Sequence, residues 1–265
     1  MPEFPHLLVK NVLEEAQIGY DKAEDPVYVL TNLTDLSRLS KWEGADDTPQ
    51  HVTFTFDVPG VDADTFILDR NFNIPGGSGR HLYVQHSANG VDWNDTVVDL
   101  NNAALAEVDY IHWKTFTKVE NKPYWRLRFI GLTGPPEIYN VWLGERLELP
   151  VGPAGDFDPY EEQSQDQLNQ NPLGGTQNLH YFSRRILSAW FRNLTDAQMA
   201  YFQSWWSNAG KLGKPWWWLT YPTTYVSYPY EDDYQPLYLI SAGARRSFPF
   251  NRAARGGSIE GIEVR

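Results

Sequence analysis

The chain has 265 residues, with 22 Lys and Arg against 34 Asp and Glu for a net charge of −12, and it contains no Cys. That length supports a core of its own, the absence of Cys excludes disulfide frameworks, thiolate metal sites and Cys nucleophiles, and the acidic balance argues against nucleic acid as a partner. No apolar run approaches the ~18 residues of a membrane span, so membrane insertion is not expected, and the opening MPEFPHLLVKNVLEEA lacks the basic-then-apolar order of a secretion signal.

Taken in chain order, residues 1–150 read as strands. Val52, Phe54, Phe56 and Val58 alternate with His51, Thr53, Thr55 and Asp57, the two-residue period of a half-buried strand. Leu82 and Val84 repeat the pattern in RHLYVQH. Trp125, Leu127 and Phe129 repeat it in YWRLRF, with Arg126 and Arg128 on the opposite face. IYNVWL (138–143) is a further apolar strand. Turn signals divide these runs at Val58-Pro59-Gly60, Pro75-Gly76-Gly77, Ala88-Asn89-Gly90 and Gly134-Pro135-Pro136. Many short strands with turn punctuation predict an antiparallel sandwich.

Residues 151–178, VGPAGDFDPYEEQSQDQLNQNPLGGTQN, are rich in Pro, Gly, Gln and Asp and carry almost no apolar period. They read as a linker or extended arm. Residues 179–265 form the third segment. Thr195 is placed as a helix N-cap, with Gln198 completing a capping box and Leu194 stapling to Met199. Met199, Phe202 and Trp206 share one helical face, and Asn208-Ala209-Gly210 ends the helix. KPWWWLTYP, a Tyr-rich stretch and a basic tail with five Arg between Arg245 and Arg265 follow. The expected fold class is therefore mainly β, a sandwich joined by a linker to a small α+β aromatic-rich module.

Two resemblances sharpen this. LSKWEGADDTPQHVTFTFDVP, FILDRNFN, YVQHSANGVDW, YWRLRF and PEIYNVWLG, in that order across about residues 5–148, resemble the discoidin or coagulation-factor C-type family. In YVQHSANGVDW, Asn89 stands where the family's hairpin has Asp. The resemblance implies an eight-stranded jelly roll of the galactose-binding type, a fold that serves adhesion, glycan binding and architecture alike. FSRRILSAWFRNLTDAQMAYFQSWWSNAGKLGKPWWW (about 179–221) is similar to tail and tail-tip proteins of tailed bacteriophages, which implies a virion tail component.

The chemistry-bearing residues point away from catalysis. Adjacent carboxylates such as Asp46 with Asp47 or Glu161 with Glu162 would point to opposite faces of a strand and do not make the facing pair of a glycosidase. The six His show no HExxH or HxH spacing, and no phosphate loop, dinucleotide motif or nucleophile elbow occurs. No cofactor or metal is expected. Asp46 with Asp47 and Asp92 with Asp95 are the loop carboxylates from which a calcium site would be built. Asn32, Asn94 and Asn193 begin Asn-x-Thr triplets that are read as chance matches.

Residues 179–238 hold 17 aromatics. Consecutive aromatics face different directions, so several are expected at the surface or under another chain. The assembly contacts expected are Trp205, Trp217, Tyr225, Tyr228, Tyr230, Arg245 and Arg246, with Trp216 and Trp218 inside the core. The main expectation is thus a non-enzymatic virion tail protein at the distal tail, baseplate or fibre-attachment point. It would be assembled in the host cytoplasm against copies of itself and other tail proteins. The alternative is a carbohydrate-binding adhesin that holds a host-surface glycan through loop residues Trp42, Asn73, His86, Trp93 and Trp113. A polysaccharide-degrading enzyme is the third reading.

Overall fold

The computed structural model describes residues 5–22, 27–37, 39–72, 81–93, 95–99, 111–149, 162–170, 176–191, 194–219, 237–241 and 257–264. In chain order the strands are β1 (His6–Leu8), β2 (Gln17–Tyr20), β3 (Trp42–Glu43), β4 (Gln50–Thr55), β5 (Val61–Phe72), β6 (His81–Ser87), β7 (Asp95–Asp99), β8 (His112–Lys122), β9 (Tyr124–Ile130), β10 (Glu137–Gly144), β11 (Leu147–Glu148), β12 (Glu162–Gln170), β13 (Thr176–Phe191), β14 (Trp216–Leu219), β15 (Leu237–Ile240) and β16 (Gly257–Glu263). One α-helix, α1 (Asp196–Trp205), lies between β13 and β14. The chain divides into two compact units, Lys10–Arg146 and a second made of Met1–Val9 with Leu147–Arg265.

The Lys10–Arg146 unit is a β-sandwich. A five-stranded sheet ordered β2-β4-β9-β6-β7 faces a four-stranded sheet ordered β3-β10-β5-β8. Their inner faces share one core, with Val52, Phe54, Leu82, Val84, Trp125, Leu127 and Phe129 from the first sheet and Trp42, Phe66, Leu68, Ile138, Val141 and Leu143 from the second. The two-residue period predicts the buried residues of β4 and β9, where buried and half-buried positions alternate without a break. The pattern ends sooner than expected. Strand β4 stops at Thr55, and Val58 is exposed in the turn that Gly60 closes. Nine described strands form the unit rather than eight.

The second unit is built differently from the expected module. Its seven-stranded sheet runs β11-β1-β14-β15-β16-β13-β12, and a single core joins sheet residues to α1. Strand β1 pairs with β14, Leu7 opposite Trp218 and Leu8 opposite Trp217. The chain's first residues therefore belong here, not with residues 10–146, so the expected 1–150 boundary moves. Nothing in a three-residue apolar strand states which distant partner it will pair with. The expected 151–178 linker is also corrected, because Glu162–Gln170 is a strand laddered antiparallel to β13 along its length. This strand ends the sheet order, and Gln163 and Ser164 are exposed. Backbone hydrogen bonds hold such an edge strand with no apolar face, so it leaves no hydrophobic period to read.

Helix α1 begins as expected. Thr195 accepts from the Gln198 backbone N–H, and the Gln198 side chain accepts from the Thr195 N–H. It runs on into one wider π-helical turn, Trp206–Gly210. The buried face is Phe202, Trp205 and Ala209, with Met199 and Trp206 packed at its margin. Trp205, expected at an assembly interface, is instead inside this core, edge-on to Trp216 at 5.7 Å.

Trp217 is corrected likewise. It does project to the side of β14 opposite Trp216 and Trp218, yet its exposure is 0%. Strand β14 is a central strand between β1 and β15, and Trp217 stands directly opposite Tyr238, the two rings 4.7 Å apart. A central strand has neighbours on both edges, and both of its faces are buried here. Tyr225, Tyr228, Tyr230, Arg245 and Arg246 lie outside the described residues. Replacing Trp217 by Ala should lower stability by about 3–5 kcal/mol, as replacing Trp216 should. Denaturant unfolding of the two variants beside the parent checks this, and a Trp217→Ala protein as stable as the parent contradicts the placement.

Candidate functional site

The sandwich places the five expected glycan contacts apart. Trp42 is fully buried between Tyr20, edge-on at 5.3 Å, and Phe129 at 5.8 Å, so it is a core residue. His86 is buried with its ring 5.4 Å from Trp125. Trp113 is half-buried on β8, in the four-stranded sheet. Asn73 lies outside the described residues. Only Trp93 stands half-exposed at the margin of a polar and aromatic surface, and that surface is the outer face of the five-stranded sheet.

Strand β9 generates the face. With Trp125, Leu127 and Phe129 in the core, Arg126 and Arg128 must project outward. Register then sets their neighbours. Arg128 lies between His51 of β4 and Tyr83 of β6, while Arg126 lies between Thr53 and Gln85. Directly opposed side chains on neighbouring strands are within contact distance, so two rows form across three strands. The Arg128 guanidinium stands 6.0 Å from the Tyr83 ring centre, and the Tyr83 ring is parallel to His81 at 5.0 Å.

Trp93 reaches this face through the hairpin that follows β6. The Ser87 hydroxyl accepts from the backbone N–H of Asn89 and Gly90. The Asn89 side-chain oxygen accepts from the N–H of Val91 and Asp92. Gly90 takes φ +74°, a conformation open to Gly without strain, and its carbonyl accepts from the Trp93 indole N–H at 3.0 Å. The Ser-x-Asn-Gly-x-x-Trp spacing is thus a turn that aims an indole. Arg126 lies over that indole, 4.4 Å from its centre, a cation–π contact.

Gln85 ties the parts together. Buried, it donates to the Trp93 carbonyl at 3.2 Å and to the Thr96 hydroxyl at 3.0 Å, and it accepts from the Arg126 Nε at 2.9 Å. One side chain therefore fixes the Trp93 backbone, β7 and the Arg126 fork. Burial, then the like charge of Arg128, pulls the Arg126 guanidinium below its usual range, and Asp21 acts in the opposite sense. Asp21 itself is engaged by His51, through the ring at 2.7 Å and the backbone N–H at 2.9 Å. Asp99 takes the register position opposite Tyr83.

Two of the four loop carboxylates considered for calcium, Asp46 and Asp92, are used otherwise. Asp46 holds Lys22 and Thr48, and Asp92 accepts from the Asn89 amide. Among the described residues no group of three or more His, Asp or Glu could hold a metal ion.

No protein-family profile matches the chain. No curated protein matches it in sequence. Solved structures do resemble about half of it, and they include carbohydrate-binding modules. One is chitosan-binding module 1 from the chitosanase/glucanase of Paenibacillus sp. IK-5, at 15% identity and TM-score 0.41, covering 51% of this chain and 98% of that one. Another is CpGH89CBM32-5 from Clostridium perfringens, solved in complex with GalNAc-β-1,3-galactose, at 13% identity and TM-score 0.39, covering 51% and 99%. A third is a putative α-L-fucosidase from Bacteroides thetaiotaomicron, at 14% identity and TM-score 0.42, covering 51% of this chain but only 28% of that one. At such identities and scores, the ligands of those proteins say nothing of this one.

Tyr83, Gln85, Arg126 and Arg128 were not among the residues expected to bind. The outward arginines of YWRLRF were visible as a pattern, but not that Trp93 and Tyr83 would meet them. Replacing Gln85 by Ala removes three hydrogen bonds at once and should lower stability by about 1–3 kcal/mol. It should also broaden the Trp93 indole resonance in NMR, assigned with a Trp93→Phe variant. An unchanged Trp93 signal would mean that Gln85 does not set the loop.

Proposed function

We propose that this protein is a non-catalytic glycan-binding protein that holds sugar against the outer face of its five-stranded sheet. The supporting observation is the convergence of Tyr83 and Trp93, half-exposed aromatics each beside a guanidinium, on one face with exposed and half-exposed hydrogen-bonding groups. Aromatic surface with a few fixed polar groups is what a ligand site requires. A sugar offers the same pairing, with C–H faces for the rings and hydroxyls for the polar groups. The face differs from the loop set of Trp42, Asn73, His86, Trp93 and Trp113, from which it keeps Trp93 alone. A hydrolase would need two carboxylates facing each other across the sugar. Asp21, bound to His51, does not supply one.

The virion-tail reading has one observation in its favour. On β13 and β15 of the second unit, Trp190 is 47% exposed and Ile240 39% exposed, and register puts both with Ile186 and Ile262 on the sheet face away from α1. Ser188 and Glu260 lie between that isoleucine row and Trp190 on the same face, so these are separate exposed apolar residues, which burial against another copy of the chain would cover. In that reading the protein is a tail subunit, and these residues replace Trp205 and Trp217 as the assembly contacts.

A glycan array probed with the parent and with Tyr83→Ala and Trp93→Ala variants tests the main proposal. Binding by the parent that falls about tenfold or more in each variant, with melting unchanged, is expected. Silence of the parent across the array overturns it. Light scattering on the parent and on Trp190→Ser tests the second reading, which requires an oligomer that Trp190→Ser dissociates.

A further inference from the structure

We infer that the sugar taken by this face is anionic, its carboxylate or sulfate group received by the Arg126–Arg128 pair. This rests on the glycan reading above and specifies its ligand.

The reasoning begins with how the sandwich treats its other cations. Lys10, Lys22, Lys41, Lys118 and Arg146 each lie within 3.8 Å of a carboxylate, while Lys114 and Lys122, on β8 of the other sheet, have no ion pair among the described residues. With 34 acidic residues in the chain, partners are abundant. Arg126 and Arg128 have no ion pair among the described residues, although they stand two residues apart on one face and repel each other. Strand geometry sets their Cα atoms roughly 6.5–7 Å apart. Like charges at that spacing are unfavourable without an anion. The described carboxylate whose charge acts on Arg126, Asp21, is turned to His51.

The pair is also held in place. Gln85 occupies Nε of Arg126, and Trp93 lies against its plane. The terminal amino groups of that guanidinium have no hydrogen-bond partner among the described residues. A planar fork with its donors free matches the two oxygens of a carboxylate or a sulfate. Lys would offer only a point charge. An anionic group on a pyranose ring would reach the arginines while the ring lies along Tyr83 or Trp93. The chain's net charge of −12 opposes anions at long range, but at physiological salt that repulsion is screened beyond about 8 Å.

The test uses the full chain on an array carrying neutral, uronate-bearing, sialylated and sulfated sugars, followed by calorimetric titration of the ligands retained. Retention of acidic sugars is expected, about tenfold or more tighter than their neutral counterparts. Arg126→Gln and Arg128→Gln should each remove that preference, Arg128→Gln without lowering the melting temperature, and Arg126→Lys should restore it only in part. Uronates and sulfates on separate array positions distinguish the two anion sources. Neutral sugars bound as well as acidic ones, with Tyr83 and Trp93 still required, overturn this inference alone. Acidic binding unaffected by either Arg→Gln change also overturns it, as does equal retention of double-stranded DNA, which would mark a generic cationic patch. Silence across all sugars overturns the glycan reading and this one together.

Discussion

Strand β9 has two faces, and both the sandwich core and its candidate site depend on that constraint. Trp125, Leu127 and Phe129 are buried to within 2% exposure, and they cannot be so without driving Arg126 and Arg128 to the other side. A one-residue slip would bury two guanidiniums and expose two aromatics and a leucine. The register of β9 against β4 and β6 is accordingly enforced by the core, and the site inherits its geometry from that enforcement. The arginines require no separate device to stay at the surface.

Their orientation within the face does require one, and Gln85 provides it. A buried amide is unfavourable unless its hydrogen-bonding groups are paired. Here its oxygen takes the Arg126 Nε–H, and its nitrogen serves the Trp93 carbonyl and the Thr96 hydroxyl. The hairpin behind it is determined locally, by Ser87, Asn89 and the positive φ of Gly90. A rigid turn, a buried clamp and a packed strand thus converge on one indole–guanidinium pair. Such a pair is ordered before any ligand arrives, which lowers the entropic cost of binding.

The second unit shows the same physics with less sequence signal. Its sheet joins β1, from the start of the chain, to β14, more than two hundred positions later, and adds the polar edge strand β12. The Trp216–Trp218 run is buried on both sides of that sheet. Consecutive aromatics do face opposite ways, as period-two geometry demands, but opposite does not mean outward when the strand is central. Trp190 is exposed on β13, where the sequence alternates no more conspicuously than elsewhere.

What the sequence by itself determined is local. The two-residue period in β4 and β9, the capping box at Thr195 and the Ser87–Gly90 turn can be read from neighbouring residues, because each depends on geometry repeated within a few positions. The outward set of Arg126 and Arg128 belongs with them. The tertiary structure decided everything that depends on pairing across distance. It placed Leu7 and Leu8 beside Trp218 and Trp217, turned 162–170 from a linker into a strand, and buried Trp42 and His86. It also brought Tyr83 and Trp93 to the arginines. The physical reason is that strand partners are chosen by the total burial and backbone bonding they achieve together. A short apolar or polar segment carries no mark of its partner until the sheet closes around it.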